Sequence, residues 1–178
     1  MGLESLKAEG IDEMRYAQIR RYDVANGKGI RTTLFVTGCT HKCRNCFNEL
    51  YQDFEYGDEW TEAQTEEIIE NLKAEVVSGL SILGGEPFQN AEGILELVKN
   101  VKNEVPNKDI WIWSGYTYEE LRQDSAKMDL LRECDVLVDG RFIEELKDLT
   151  LKFRGSSNQR IIDVKKTLEK DEVVEYAE

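Results

Sequence analysis

Three of the chain's four cysteines, Cys39, Cys43 and Cys46, fall within eight residues in the order C-x3-C-x2-C. Thiolates are soft ligands that select iron-sulfur clusters, zinc or copper(I), and a loop this short does not readily close such spacings as unstrained disulfides. A metal centre is the natural use of the triplet. Structural zinc and ordinary cubane clusters take four protein ligands, so three thiolates leave one iron of a cubane open. The competing reading is a zinc site completed by His41 or Cys134, because zinc accepts mixed Cys and His sets. His41, inside the loop itself, is poorly placed as an extra ligand and is expected to face solvent. Cys134, just ahead of a predicted strand, reads as a small buried hydrophobe. Other side-chain chemistry is scarce: there is one histidine, no Ser-His pairing signal and no pair of catalytic carboxylates.

The elements that must position this loop are of parallel α/β type. Residues 14–25 read as a strand turned by Gly27 and Gly29. Residues 30–37, rich in β-branched and aromatic side chains, form the clearest strand, and the cysteine loop follows it directly. Thr61 and Gln64 make a capping box for a helix with Ile68, Ile69, Leu72 and Val76 on one face, ended by Gly79. A short buried strand over residues 80–83 runs into Gly84-Gly85-Glu86-Pro87. The next helix starts near Ala91, carries Ile94, Val98, Val101 and Val105 at helical spacing, and is closed by Pro106 and Asn107. Residues 109–113 form a strand, with Trp111 and Trp113 on one face as core or pocket wall. Thr117 and Glu120 open a broken helix reaching Arg132, and residues 135–138 form a last strand before Asp139-Gly140. Such alternation gives parallel βα units. Ligands bind at the C-terminal edge of parallel strands, so the cysteine loop, Gly84 to Pro87, Trp113 to Tyr116 and Asp139 to Phe142 should converge on one site.

The totals bound the rest. A chain of 178 residues fits one domain, 1–178, with an appended helix or frayed end over 1–13, a core of about 14–164 and a C-terminal tail over 165–178. With 23 basic and 36 acidic residues the net charge is −13, which argues against binding nucleic acid through a basic face. No apolar run approaches eighteen residues and the N-terminus lacks a signal-peptide pattern, so neither a membrane nor secretion is expected and the location should be cytoplasmic.

C-x3-C-x2-C is also the cluster motif of the radical S-adenosylmethionine (SAM) enzymes, and Gly84-Gly85-Glu86-Pro87 resembles their SAM-binding GGEP loop. With Asn26 to Arg31, Cys46-Phe47-Asn48, Val138 to Phe142 and Arg154 to Arg160, the chain resembles the glycyl-radical-enzyme activases of this superfamily that act on anaerobic ribonucleoside-triphosphate reductase, over about residues 16–164. The resemblance implies a partial (β/α)6-type barrel of parallel strands, open on one side. It implies a [4Fe-4S] cluster on Cys39, Cys43 and Cys46, and SAM contacts from Asn45, Phe47, Gly84, Gly85, Glu86 and Pro87. Many radical SAM enzymes carry an aromatic residue before the third cysteine; Asn45 stands there in this chain. The glycines are expected where a backbone must approach a ligand closely. The implied reaction is reductive cleavage of SAM to methionine and a 5′-deoxyadenosyl radical, which takes a hydrogen from a glycine of the reductase, and no catalytic side chain is needed beyond cluster and SAM. Alternatives are an activase of another glycyl-radical enzyme, a 7-carboxy-7-deazaguanine synthase, or a non-catalytic zinc or redox-sensing protein.

Residues 20–44 hold six basic side chains, Arg20, Arg21, Lys28, Arg31, Lys42 and Arg44, against the single acid Asp23. This collar is either a solvated loop or an electrostatic guide for an acidic electron donor such as flavodoxin, or for the SAM carboxylate. Arg154 to Arg160 either meets the partner or forms a terminal turn.

Overall fold

The computed structural model describes residues 13–177; all but the last residue of the expected N-terminal appendage lies outside the described residues. The strands are β1 (Arg15–Asp23), β2 (Ile30–Val36), β3 (Asp58–Glu59), β4 (Val77–Gly84), β5 (Asp109–Trp113), β6 (Val136–Asp139) and β7 (Arg160–Asp163). The helices are α1 (Glu62–Leu72), α2 (Ala91–Glu104), α3 (Tyr118–Leu121), α4 (Ser125–Arg132) and α5 (Val164–Lys170). The strands make one open sheet in the order β3-β1-β2-β4-β5-β6-β7.

The centre of the sheet, β2-β4-β5-β6, is parallel as the alternation predicts. Its flanks are antiparallel, which corrects the expectation of parallel strands throughout. The reasons are local. A turn of residues 24–29, with Gly27 and Gly29 at φ 103° and 82°, is too short for a crossover and can only fold β2 back beside β1. Between β6 and β7 there is no α-helix to carry the chain across the sheet.

Period-two alternation gives the two faces different duties. Leu34, Ile82, Ile112, Leu137 and Ile162 stand side by side across five strands and are fully buried with residues from all five helices, among them Leu72, Leu97, Leu121, Leu131 and Val164. All the helices therefore cover one face. The other face, with Phe35, Leu83, Trp111, Trp113 and Val138, is roofed by the chain after β6, where Phe153 and Tyr176 pack edge-on against Trp111. The two capping boxes form as read: Thr61 N–H donates to Gln64 Oε1 at 2.7 Å and Thr117 N–H to Glu120 Oε2 at 3.2 Å. The segment read as a tail instead holds α5, whose Val164 and Thr167 are buried, and returns alongside β7.

Gly79 corrects another expectation. It lies inside β4 rather than ending α1, and Val76 is exposed. Gly79 sits between Arg31 of β2 and Asp109 of β5, where a Cβ would come within 2.1 Å of Asp109 Oδ1 and 2.9 Å of Arg31 Nη2. The missing side chain lets those two meet at 2.8 Å across the strand. Arg31 is fully buried and also donates to Ser81 Oγ, Leu80 O and Lys28 O. Burial pulls its guanidinium below the ordinary value while Asp109 opposes that pull. Arg31 thus plugs the helix-free face at the N-terminal end of the strands and leaves the basic collar. Arg31→Ala is expected to cost about 2–3 kcal/mol in chemical denaturation, with Arg31→Lys recovering little because a single ammonium cannot reach these partners together.

Candidate functional site

Each parallel strand ends in one of the sequence's motifs, at the same edge of the sheet. β2 leads into the cysteine loop, β4 into Gly84 to Pro87, β5 into Ser114 to Tyr116, and β6 into Gly140 to Phe142. There they enclose a cavity of about 570 Å³ lined by Cys39, Cys43 and Cys46 together with Phe47, Gly84, Gly85, Trp113, Gly115 and Phe142, in the range of sites for a small molecule.

The start of the cysteine loop is held by backbone. Gly38 and Cys39 N–H donate to Tyr51 O and Gln52 O at 2.8 and 3.0 Å. Gly85 and Glu86 N–H donate to Val36 O and Gly38 O, each at 2.8 Å. Gly84 adopts φ 109°, and a Cβ on Gly85 would lie 2.6 Å from Gly38 O. Within the chain, what comes close to this glycine pair is the backbone of β2, Gly38 and Tyr51. The further half of the loop turns through Lys42 and Asn45, both at left-handed φ.

The expected cofactor-contact residues divide by position. Gly84, Gly85 and Phe47 line the cavity. Phe47 stands at its mouth, 56% exposed, packed on Phe142 with ring centroids 4.8 Å apart and against Gly155, with Lys147 Nζ over its ring. Asn45 is exposed on the outside of the turn. Pro87 is buried and opens a 3-10 turn, Pro87–Asn90. Glu86 is fully buried, and its carboxylate accepts from Phe88 N, Ser114 Oγ, Gly115 N and His41 Nε2 at 2.7 to 2.9 Å. His41 is the larger surprise. Its side chain is 6% exposed rather than turned to solvent, because the Glu86 carboxylate and the edge of Tyr116 draw it inward.

Burial pushes the Cys39 thiol up to about 11, and Cys43 is raised first by burial and then by Cys46. Low polarity around these sulfurs favours neutral thiols over free thiolates, and a bound cation reverses that preference. Among the described residues no three Cys, His, Asp or Glu side chains converge on a single metal ion. His41 is committed to Glu86, and Cys134 is buried on the helix side, bonded to Leu130 O. The donor set is therefore three thiols spread around one cavity wall, a set suited to a cluster in which each thiolate takes a different iron.

A family profile described as a 4Fe-4S single cluster domain matches residues 25–162. The anaerobic ribonucleoside-triphosphate reductase-activating protein of Vibrio cholerae is 45% identical over 152 residues, 83% of this chain and 97% of that protein. Its namesakes in Pasteurella multocida and Escherichia coli are 42% and 43% identical, over 83% and 82% of this chain and 96% of each relative. The chain belongs to this family of activating proteins.

In this member of the activating-protein family, the Arg154 to Arg160 motif turns at Ser157 and Asn158 and brings Arg154, Gly155 and Gln159 into the wall of the site. Gln159 accepts from Gly155 N and Ser156 N and donates to Gly140 O, Asn158 donates to Arg141 O, and Arg160 pairs with Asp139 and Glu119, a setting that raises its already high proton affinity. Arg154 lines the cavity, and its buried Nε finds no hydrogen-bond partner among the described residues. Sequence reasoning missed Ser114 and Gly115 as partners of Glu86, and no local signal marks them, since their role exists only across strands.

Proposed function

We propose that this chain is a radical SAM activating enzyme, an oxidoreductase that generates a glycyl radical on anaerobic ribonucleoside-triphosphate reductase. The observation that carries the reading is the meeting of Cys39, Cys43 and Cys46 with the Gly84-Gly85 loop in one cavity at the C-terminal edge of the parallel strands. The relatives' name supports the partner. The chemistry supplied by a bound [4Fe-4S] cluster is delivery of one electron to SAM for its reductive cleavage. The chain's own part is to hold and exclude. Cys39, Cys43 and Cys46 would hold three irons and leave the fourth open to SAM. Gly84 and Gly85 expose backbone along the cavity, Phe47 and Phe142 exclude water at its mouth, and Arg154 gives the cavity wall a positive charge suited to the SAM carboxylate. In this reading Asn45 contributes backbone at the rim, while Glu86 and Pro87 shape the loop from behind. The helix-free face of the sheet is then the inside of a partial barrel, with the reductase's glycine-bearing segment entering at the open mouth. No helix among the described residues is long and apolar enough to cross a membrane, and the oxygen-sensitive chemistry fits a cytoplasmic setting.

The test is anaerobic reconstitution with iron and sulfide, reduction by dithionite, and addition of SAM. Formation of 5′-deoxyadenosine, followed by a glycyl-radical EPR signal when the reductase is added, is the expected result. A zinc-loaded, colourless protein that leaves SAM intact overturns it.

Without Arg31, the collar retains Arg20, Arg21, Lys28, Lys42 and Arg44, with Arg44 and Glu145 forming an exposed pair at 3.5 Å. Flavodoxin is proposed as the electron donor guided by it. Lys42→Glu with Arg44→Glu is expected to slow cluster reduction by flavodoxin roughly tenfold at low ionic strength, with the difference closing in high salt. Equal rates at low salt would remove the collar from the reading.

A further inference from the structure

The cysteine loop is fastened at its middle by a side chain that ligates nothing. His41 lies two residues from both Cys39 and Cys43, and its Nε2 donates to Glu86 Oε1 at 2.7 Å. The same oxygen accepts from Ser114 Oγ at 2.9 Å and Gly115 N at 2.7 Å. One buried carboxylate oxygen thus gathers the loops that follow β2, β4 and β5. The ring is fitted closely as well: a Cβ on Gly115 would lie 2.6 Å from His41 Cδ2, and Tyr116 meets the ring edge-on with centroids 4.5 Å apart. Beyond His41 the loop is held more by the packing of Phe47 on Phe142 than by hydrogen bonds. Lys42 and Asn45 hold left-handed backbone, Cys46 N–H reaches no further than Cys43 O at 3.2 Å, and the Arg44 pair is exposed.

We infer that His41 is a positioning residue whose hydrogen bond to the buried Glu86 carboxylate fixes the stretch between Cys39 and Cys43 before any cluster is loaded. A site shaped in advance loses less chain entropy when metal binds. Two of the three thiols are then held in place by the protein, and the third follows on the adaptable arm of the loop. The inference rests on the proposed assignment of these thiols to the cluster but not on SAM.

Two measurements on the whole chain test it: iron loss from the reconstituted protein to excess EDTA, and amide hydrogen exchange over residues 39–47 in the iron-free protein. His41→Leu is expected to lose iron roughly 10- to 100-fold faster than wild type, the range for groups that orient metal ligands, and to exchange faster over that loop. Cys134→Ala loosens packing on the helix side without touching the loop or its network, and is expected to keep wild-type iron retention. Unchanged retention in His41→Leu, or equally fast loss in Cys134→Ala, overturns the inference. If His41→Leu does not fold, His41→Gln and His41→Asn decide. Glutamine reaches Glu86 with an N–H and should restore retention, the shorter asparagine should not, and equal behaviour of the two overturns it. A wild type that retains iron but leaves SAM intact would refute the proposed function while leaving this inference in place.

Discussion

In Cys43→Ala, anaerobic reconstitution with iron and sulfide is expected to yield little cluster, and SAM-dependent 5′-deoxyadenosine formation is expected to fall by more than about 100-fold, beyond the range seen when only groups behind a metal ligand are changed. Three thiols line the cavity, the nearest histidine is bonded to Glu86, and the fourth cysteine is buried on the opposite face of the sheet, so no neighbour replaces a lost ligand. Cys134→Ala is the matched control and is expected to retain both cluster and cleavage, since Cys134 only fills core space and bonds to Leu130 O. Iron content, the visible spectrum and product analysis read the result. A fully loaded and active Cys43→Ala protein would remove that residue from the ligand set.

Glu86→Ala is expected to be the most destabilising single change at the site, at about 3–5 kcal/mol in chemical denaturation, the cost of removing one partner from a buried hydrogen-bonded pair. Four donors lose their acceptor at once, and three of them, on Phe88, Ser114 and His41, are largely shut off from water. The comparison with Arg31 sets the scale. Asp109, left behind by Arg31→Ala, loses the partner of a buried Oδ1, but its side chain is 44% exposed and is partly open to water. Those three donors are not. Glu86→Gln keeps the shape but turns an acceptor into a donor facing donors, and is expected to recover less than half of the loss. If Glu86→Ala unfolds at the wild-type midpoint, the buried network contributes nothing to stability.

Much of this was legible from the sequence, and the failures share a cause. The parallel centre of the sheet followed from strand and helix alternation, and both capping boxes formed because their partners lie three residues apart. The meeting of four motifs at one edge followed from parallel strands alone. What escaped depends on neighbours distant in sequence. Gly79 looks like a helix stop until Arg31 and Asp109 are seen to meet across it. His41 looks like a loop residue in solvent until Glu86, 45 positions on, draws it inside. The partners of Glu86 on the β2 and β5 loops, His41, Ser114 and Gly115, are likewise invisible in sequence. β7 is four residues long and too short to announce itself by periodicity, and α5, with seven residues, is short enough that residues 165–178 read as a tail.

The two lips of the cavity belong to strands β2 and β6, with β4 and β5 between them. Hydrogen-bonded strands stand about 4.8 Å apart, so the roots of these lips are roughly 14 Å apart, and the backbone ladders between them contain no joint. The sheet therefore acts as a ruler. Above that gap the loops lean together until Phe47 meets Phe142, so the width of the site is set by the sheet at its floor and by two rings at its mouth.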